Sequence, residues 1–431
     1  MPEKIVSEVK ISPEKINHFK QNVKGVLDVK EEIQKVISRS PTEILENILQ
    51  GALSLEASDL HLEPEEEEAK LRFRIDGILQ DVFVFEPKIY RLLLSRIKLL
   101  SRLKLNVTDR PQDGRFSIFS EVPIEVRVSS LPSEWGETIV MRFLDPRSLI
   151  NLEQLGLRED LLKIFEKEIK KPNGMIVVTG PTGSGKTTTL YAILKKINSP
   201  QIKIITIEDP IEYHLEGISQ TQVDPKKGYD FASGLRSIVR QDPDVILVGE
   251  IRDLETATIA LQAALTGHLV LTTLHTNDAA GTIPRLIALG EKPVNIAPAL
   301  NMMVAQRLVR RLCGKCKKEE KIKKEELELL KKELGQLPPQ VKLPQEISEN
   351  TILGKPVGCK ECNFTGYRKR VAIYEVILND EEMQELIFKN PSTYEIRKMA
   401  RKKGFLTMKQ DGLLKVLEKT TTIEEVERVT G

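Results

Sequence analysis

Short apolar runs at 175–179, 204–207, 245–248 and 269–272 alternate with segments of helical period. Strands buried on both faces of a parallel sheet read this way, so the pattern predicts a strand–helix–strand region from 172 to about 300. Upstream the pattern differs. Ile44 to Leu55 has helical period, and Leu71 to Ile75 alternates like a half-exposed strand running into the hairpin pair Asp76-Gly77. Ile89 to Leu105 reads as a basic amphipathic helix, and Phe116–Val128 and Thr138–Phe143 read as strands. Together these predict a small α+β domain over 41–147, preceded by a polar Lys/Glu-rich arm over 1–40 with weak helical patterning from Val26 to Ile37. Residues 376–431 are helical and charged, with a restart at Asn390-Pro391-Ser392 and a break at Lys403-Gly404.

A chain of 431 residues exceeds one core, and two or three domains are expected. Lys+Arg (65) against Asp+Glu (63) leaves a formal charge of only +2, so no footprint for stable nucleic-acid binding is predicted. No apolar run of ~18 residues and no secretory pattern is found, which predicts a cytoplasmic protein that meets membranes only peripherally, by docking.

The chemistry concentrates behind the first apolar run. Gly180, Pro181, Thr182, Gly183, Ser184, Gly185, Lys186 and Thr187 form a complete P-loop, and Thr188 to Ile197 reads as a helix. Gly183 and Gly185 let the backbone curl until several N–H groups face inward, and the helix N-terminus adds its positive end. Lys186 can then reach the β- and γ-phosphates of ATP, and the Thr187 hydroxyl can supply an oxygen to Mg²⁺, with Thr188 closing the first turn.

Such a site needs carboxylates at neighbouring strand ends. The run from Asp244 supplies Glu250, although Gly249 stands where an aspartate usually follows, so contact with Mg²⁺ is expected through water. Glu208, Asp209 and Glu212 follow the second run, with Pro210 bending the chain between them. His275 lies at the carboxyl end of the fourth run and is the candidate γ-phosphate sensor; His268, at its other end, cannot share that job. Arg236 and Arg240 share a helix face, Arg252 follows Glu250, and Arg115 and Arg127 lie in the upstream domain, any of them able to serve as a late-arriving cation.

All the cysteines fall in two pairs, Cys313/Cys316 and Cys359/Cys362. In a cytosolic chain that spacing predicts a four-thiolate structural Zn²⁺ site, with free thiols or a redox dithiol as the competing readings. Lys317 to Glu333 alternates Lys and Glu at helical spacing before Pro338, Pro339 and Pro344 break it, predicting a solvated helical insertion inside a zinc module over 306–375.

Read in order, the P-loop, Ile207–Glu212, Arg240–Asp244, Val248–Asp253, Thr266–His268, Thr273–Asn277 and Gly358–Tyr367 resemble the secretion ATPase superfamily in its type II secretion and type IV pilus assembly branch. The likeness extends upstream through Ala57–Pro64, Pro111–Arg115 and Arg127–Ser130, covering roughly 41–431. It implies an α/β architecture: a RecA-like motor domain over 148–305, a PAS-like N-terminal domain, the zinc module and a helical C-terminal subdomain. It also implies a homohexamer in which Glu212 polarises the attacking water, Glu250 holds Mg²⁺ and His275 senses the γ-phosphate. Arg115 and Arg127 would reach the nucleotide on domain closure, with Arg236, Arg240, Arg252 and Arg370 lining the site or the subunit boundary. The partner implied is an inner-membrane platform protein that adds subunits to a pilus or pseudopilus. Larger members carry a globular N-terminal domain that contacts partner proteins, for which 40 residues is too short, and the Arg-Gly-Arg expected after Tyr367 reads Arg368-Lys369-Arg370. Retraction motors of the superfamily typically lack the tetracysteine module, which favours assembly or secretion. A nucleic-acid translocase and an ATP-gated non-catalytic scaffold are the alternatives; charge balance weighs against the first and the full set of acids against the second.

Overall fold

In the computed structural model, which describes residues 8–119, 122–335, 337–338 and 341–431, the chain divides into two compact units. The first comprises Met1–Ser148 with Cys313–Lys317 and Pro356–Arg368; the second comprises Leu149–Leu312, Lys318–Lys355 and Lys369–Gly431.

The first unit contains β1 (Glu8–Lys10), α1 (Pro13–Asn22), α2 (Val26–Val36), α3 (Pro41–Ser54), β2 (Asp59–Pro64), β3 (Ala69–Ile75), β4 (Ile78–Phe85), α4 (Pro87–Leu100), β5 (Gln112–Phe119), β6 (Ile124–Ser133) and β7 (Gly136–Leu144). They build one seven-stranded sheet, β1-β5-β6-β7-β2-β3-β4, antiparallel except where β1 runs parallel to β5. Two expectations change here. The stretch read as one strand from Phe116 to Val128 is a hairpin, with Ile118 opposite Ile124. The segment read as a polar arm belongs to the domain core: Val9, Ile11, Ile16, Phe19, Val29 and Ile33 are buried. A helix that exposes three sides looks polar in composition, yet one stripe at 26, 29, 33 and 36 suffices to seat it.

The second unit contains α5 (Glu159–Glu168), β8 (Gly174–Thr179), α6 (Lys186–Ile197), β9 (Ile204–Glu208), β10 (Ser219–Gln222), α7 (Phe231–Val239), β11 (Val245–Val248), α8 (Leu254–Leu265), β12 (Leu269–Leu274), α9 (Thr282–Ala288), α10 (Pro293–Ala299) and β13 (Leu300–Leu312). After these come β14 (Lys318–Lys321), α11 (Lys324–Leu334), β15 (Ile352–Lys355), β16 (Tyr367–Leu378), α12 (Glu381–Phe388), α13 (Thr393–Lys402), α14 (Met408–Leu417) and α15 (Ile423–Thr430). The main sheet has the order β10-β9-β11-β12-β8-β13-β16, and its pairings from β10 through β13 are parallel. The apolar runs are explained by two cores fed from alternate residues. Met175, Val177, Ile246 and Val248 enter one, while Ile176, Val178, Val245 and Leu247 enter the other. The sheet does not stop at 305, as the expected boundary has it, because β13 and β16 extend it.

The insertion between the cysteine pairs is helical, as its period indicates, but it is not solvated all round. Leu327, Leu330 and Leu334 of α11 are buried, the last two in a cluster with Leu413, Leu414 and Leu417 of α14 and Val426 of α15. Two buried carboxylates fasten the C-terminal helices. Asp411 pairs with Arg158 and accepts from the Tyr374 amide at 2.9 Å. Glu425 accepts from Arg310 N and from Arg428 Nη2, at 3.0 and 2.9 Å.

Burial alone would raise the Glu425 pKa, but the hydrogen bonds from Arg310 and Arg428 outweigh it and hold the carboxyl at about 2, against an ordinary 4.5. A depressed folded pKa contributes stability that is complete above the unfolded value and fades as pH falls through the folded one. Glu425→Gln is therefore expected to speed hydrogen exchange of the α15 amides at neutral pH, with the gap from wild type narrowing as pH falls from 4.5 toward 2. A gap that stays constant with pH would assign the effect to shape rather than charge.

Candidate nucleotide site

The phosphate loop connects the fully buried central strand β8 to α6. Gly180, Gly183 and Gly185 have φ of 152°, 79° and 89°, where a side chain is disfavoured. A second reason applies at two of them. A Cβ on Gly180 would lie 2.6 Å from the Gln306 carbonyl oxygen, and one on Gly185 would lie 2.7 Å from Gln306 Nε2. The Lys186 ammonium lies back over the loop, donating to the carbonyls of Gly180 at 2.7 Å and Pro181 at 3.1 Å. Pro181, Thr182 and Gly183 are exposed at the rim, and Thr187 and Thr188 are half-buried in the first turn of α6. Ser184 Oγ is buried and has no partner among the described residues. Burial lowers the Lys186 pKa, Glu250 draws it up, and Arg307 pushes it down.

Gln306 on β13 carries no motif, and sequence reasoning missed it. It is 1% exposed, its Nε2 donates to Ser184 O at 2.9 Å, and its Oε1 accepts from Thr189 Oγ1 at 2.7 Å. One amide therefore holds both the loop and the helix behind it. A glutamine after an apolar run is the only signal the sequence offers: a buried amide must be spent on something.

Glu250 and His275 come together as expected. The His275 Nε2 to Glu250 Oε2 distance is 3.4 Å, and Arg252 forms an ion pair with the other carboxylate oxygen. That pairing raises the Arg252 pKa, to which Asp209 adds a smaller attraction. Gly249 is explained by crowding. Its amide donates to Ile207 O at 2.8 Å, and an added Cβ would approach that oxygen to 3.3 Å. Thr273 Oγ1 donates to Gly249 O at 2.7 Å, and Thr276 N donates to Thr179 Oγ1 at 2.8 Å, tying the ends of β8, β11 and β12 into one crevice.

Glu208 departs from its expected place at the site. It is 3% exposed and turned into the sheet, accepting from Tyr191 Oη, from Thr206 Oγ1 at 2.5 Å and from Gln220 Nε2 at 3.2 Å. Two residues on from Thr206, it shares that residue's buried face of β9, so it serves as an internal acceptor. Asp209 is exposed and Glu212 half-buried on the segment that follows. The backbone of Glu212 and Tyr213 also meets the Tyr191 hydroxyl. His268 Nδ1 donates to Ala263 O of α8 at 3.0 Å, just before the amino end of β12 and so at the opposite end of that strand from His275.

The arginines fall in two groups. Arg236 of α7 pairs with Glu255, and Arg240, which caps the C-terminus of α7, donates to Arg236 O at 2.9 Å; both are exposed, as Arg370 is on β16. In the first unit, Arg115 and Arg127 are directly opposed on β5 and β6, and Arg127 in turn opposes Arg142 on β7. Glu125 lies 3.8 Å from Arg115 and 3.5 Å from Arg127. Like charges directly opposed across strands are unfavourable, and carboxylates offset them here: besides Glu125, Asp59 Oδ1 accepts from Arg142 Nε at 2.9 Å.

The four cysteines converge within the first unit, their sulfurs all within 4.8 Å of one another. The separations Cys313–Cys359, Cys316–Cys362 and Cys359–Cys362 are 3.9, 3.7 and 3.7 Å. Tetrahedral metal–sulfur bonds of about 2.3 Å place sulfurs about 3.8 Å apart, so the cage has the dimensions of a four-coordinate ion. Gly358 N donates to Cys316 Sγ at 3.3 Å and Cys359 N to Cys362 Sγ at 3.1 Å, bonds that suit thiolates. The turn also reaches α2. Asn363 Oδ1 accepts from Val26 N at 2.7 Å, and a Cβ at Gly25 would collide with both Asn363 Oδ1 and Lys360 O at 2.7 Å.

The family model described as type II/IV secretion system protein matches residues 35–428. Type II secretion system protein E of Pseudomonas aeruginosa is 46% identical over 389 residues, 90% of this chain and 75% of its own length. Type IV pilus assembly ATPase PilB of the same organism is 44% identical over 390 residues, 89% of this chain and 66% of its own. Among solved structures, the pilus retraction motor PilT with bound ADP superposes with a TM-score of 0.60 at 28% identity, over 89% of this chain and 95% of that one.

Gln306→Met keeps length and volume but abandons two buried hydrogen bonds. It is expected to weaken binding of a fluorescent nucleotide roughly thirtyfold, since each of the two bonds is worth about 1 kcal/mol. Unchanged affinity in that titration would show that the loop holds its shape without β13.

Proposed function

This chain belongs to the type II/IV secretion system protein family and is an ATPase of it, and on that premise we propose that it drives assembly of a type IV pilus or a type II secretion pseudopilus. The observation that carries the reading is the meeting of the Lys186 loop, Glu250 and His275 at the carboxyl ends of β8, β11 and β12. Loop amides and Lys186 would bind the β- and γ-phosphates, and the α6 N-terminus would add its dipole. Thr187 and Glu250 are the residues that would hold Mg²⁺, which supplies positive charge across the β- and γ-oxygens when bound. Glu212, with Asp209 beside it, would orient the attacking water. His275, seated on Glu250, would register the γ-phosphate.

The ring and its partners follow the same reading. Arg236, Arg240 and Arg252, with Arg370, would serve a homohexamer boundary, and Arg115 and Arg127 would add late cations to hydrolysis. The output would pass to an inner-membrane platform protein, with the motor on the cytoplasmic side; no helix among the described residues is long and apolar enough to cross a membrane. The thiolate cage fits Zn²⁺, and its presence supports assembly or secretion over retraction.

Lys186→Ala is expected to abolish nucleotide binding, whereas Glu212→Gln should keep binding and lose hydrolysis by about two orders of magnitude or more, a transition-state effect. Normal turnover in the Glu212 variant would move the base to Asp209. Metal analysis should find about one zinc per chain. Chelation should accelerate amide exchange at Val26 while leaving α6 amides unchanged; protection at Val26 that survives metal loss would detach α2 from the cage.

A further inference from the structure

The loop that carries His275 is held from several sides. Thr276 is bonded to Thr179, at the end of the strand that enters the phosphate loop. Asp278 caps Gly281 N at 2.8 Å and pairs with Arg397 of α13, and Ala279 N donates to the buried Glu375 at 2.9 Å. Between these anchors stands Arg307, next to Gln306 on β13. Its Nη1 donates to Gln306 O at 3.1 Å and its Nη2 donates to Asn277 O at 2.9 Å. One guanidinium thus bridges the residue that fixes the phosphate loop and the residue two places beyond His275.

Two further observations mark it as more than a surface charge. Nη1 lies 3.1 Å from where a Cβ on Gly180 would stand, so the guanidinium lies against the base of the phosphate loop. Its hydrogen bonds go to backbone carbonyls, while Asp278 and Glu375 attract it only through space and burial lowers its pKa. A half-buried arginine that braces two carbonyls is held by geometry. The planar fork fixes both contacts together, which a lysine cannot do.

We propose that Arg307 is a positioning residue for hydrolysis, holding the His275 loop in register with the phosphate loop so that the γ-phosphate is met by both at once. This rests on the ATP-hydrolysing reading of the site. Binding of ADP needs only the phosphate loop and should not depend on the brace. Cleavage needs His275 in place and should.

The test places Arg307→Gln and Arg307→Lys in wild-type and His275→Ala backgrounds. Affinity for fluorescent ADP is measured alongside KM and single-turnover ATP cleavage. ADP affinity is expected within about twofold of wild type, with cleavage about tenfold or more slower in both variants. In the His275→Ala background, replacing Arg307 should cost nothing further, because the two act as one unit. Rescue by lysine would show that charge alone suffices and overturn the brace. So would losses that multiply, or a fall in ADP affinity equal to the fall in rate, which would make Arg307 a ground-state phosphate ligand. Wild-type protein that binds ATP but never cleaves it would overturn the parent reading and this one with it. Wild-type cleavage that Arg307 substitution leaves untouched would overturn this one alone.

Discussion

The phosphate loop must turn within touching distance of β13, and that approach governs the rest of the site. Gly180 and Gly185 lack side chains not only for the sake of φ but because Gln306 occupies the space. The Gln306 amide then satisfies Ser184 O and the Thr189 hydroxyl, so the loop and its helix become one piece with the strand beside them. A buried amide is costly unless both its ends are spent, and here both are. The same strand contributes Arg307, so one strand contacts both the floor of the loop and the Asn277 carbonyl of the His275 loop.

Charge is handled differently around this frame. Deep carboxylates such as Glu208, Asp411 and Glu425 are fully engaged by donors from distant elements, and they lock secondary structure into place. Glu250, just past the end of β11, keeps looser company. It faces Arg252 and His275, both largely exposed. The contrast separates acids with buried or half-buried partners from an acid whose partners stay in solvent.

Much of this was legible from residues. The apolar runs located β8, β9, β11 and β12 because a parallel strand buried on both faces admits almost nothing else. The phosphate loop and the cysteine pairs were legible because their chemistry needs fixed spacings. Gln306 and Arg307 were not, since their role depends on β13 lying next to β8, a neighbour more than a hundred residues away. Glu208 misled because an acid at a strand end faces the crevice or the sheet according to a one-residue alternation that composition cannot report. α2 misled in the opposite sense: polar on its other sides, it hides the single stripe of Val26, Val29, Ile33 and Val36 that docks it.

The cysteine turns belong to the first unit although they are encoded after most of the second, and the charged insertion between them belongs to the second. Neither unit is thus a continuous stretch of chain. A ribosome must release residues up to 368 before the first unit has all its parts, so Asn363 can reach Val26 only after most of the second unit has been made. Dissecting the protein at any one linker leaves an incomplete half on one side of the cut.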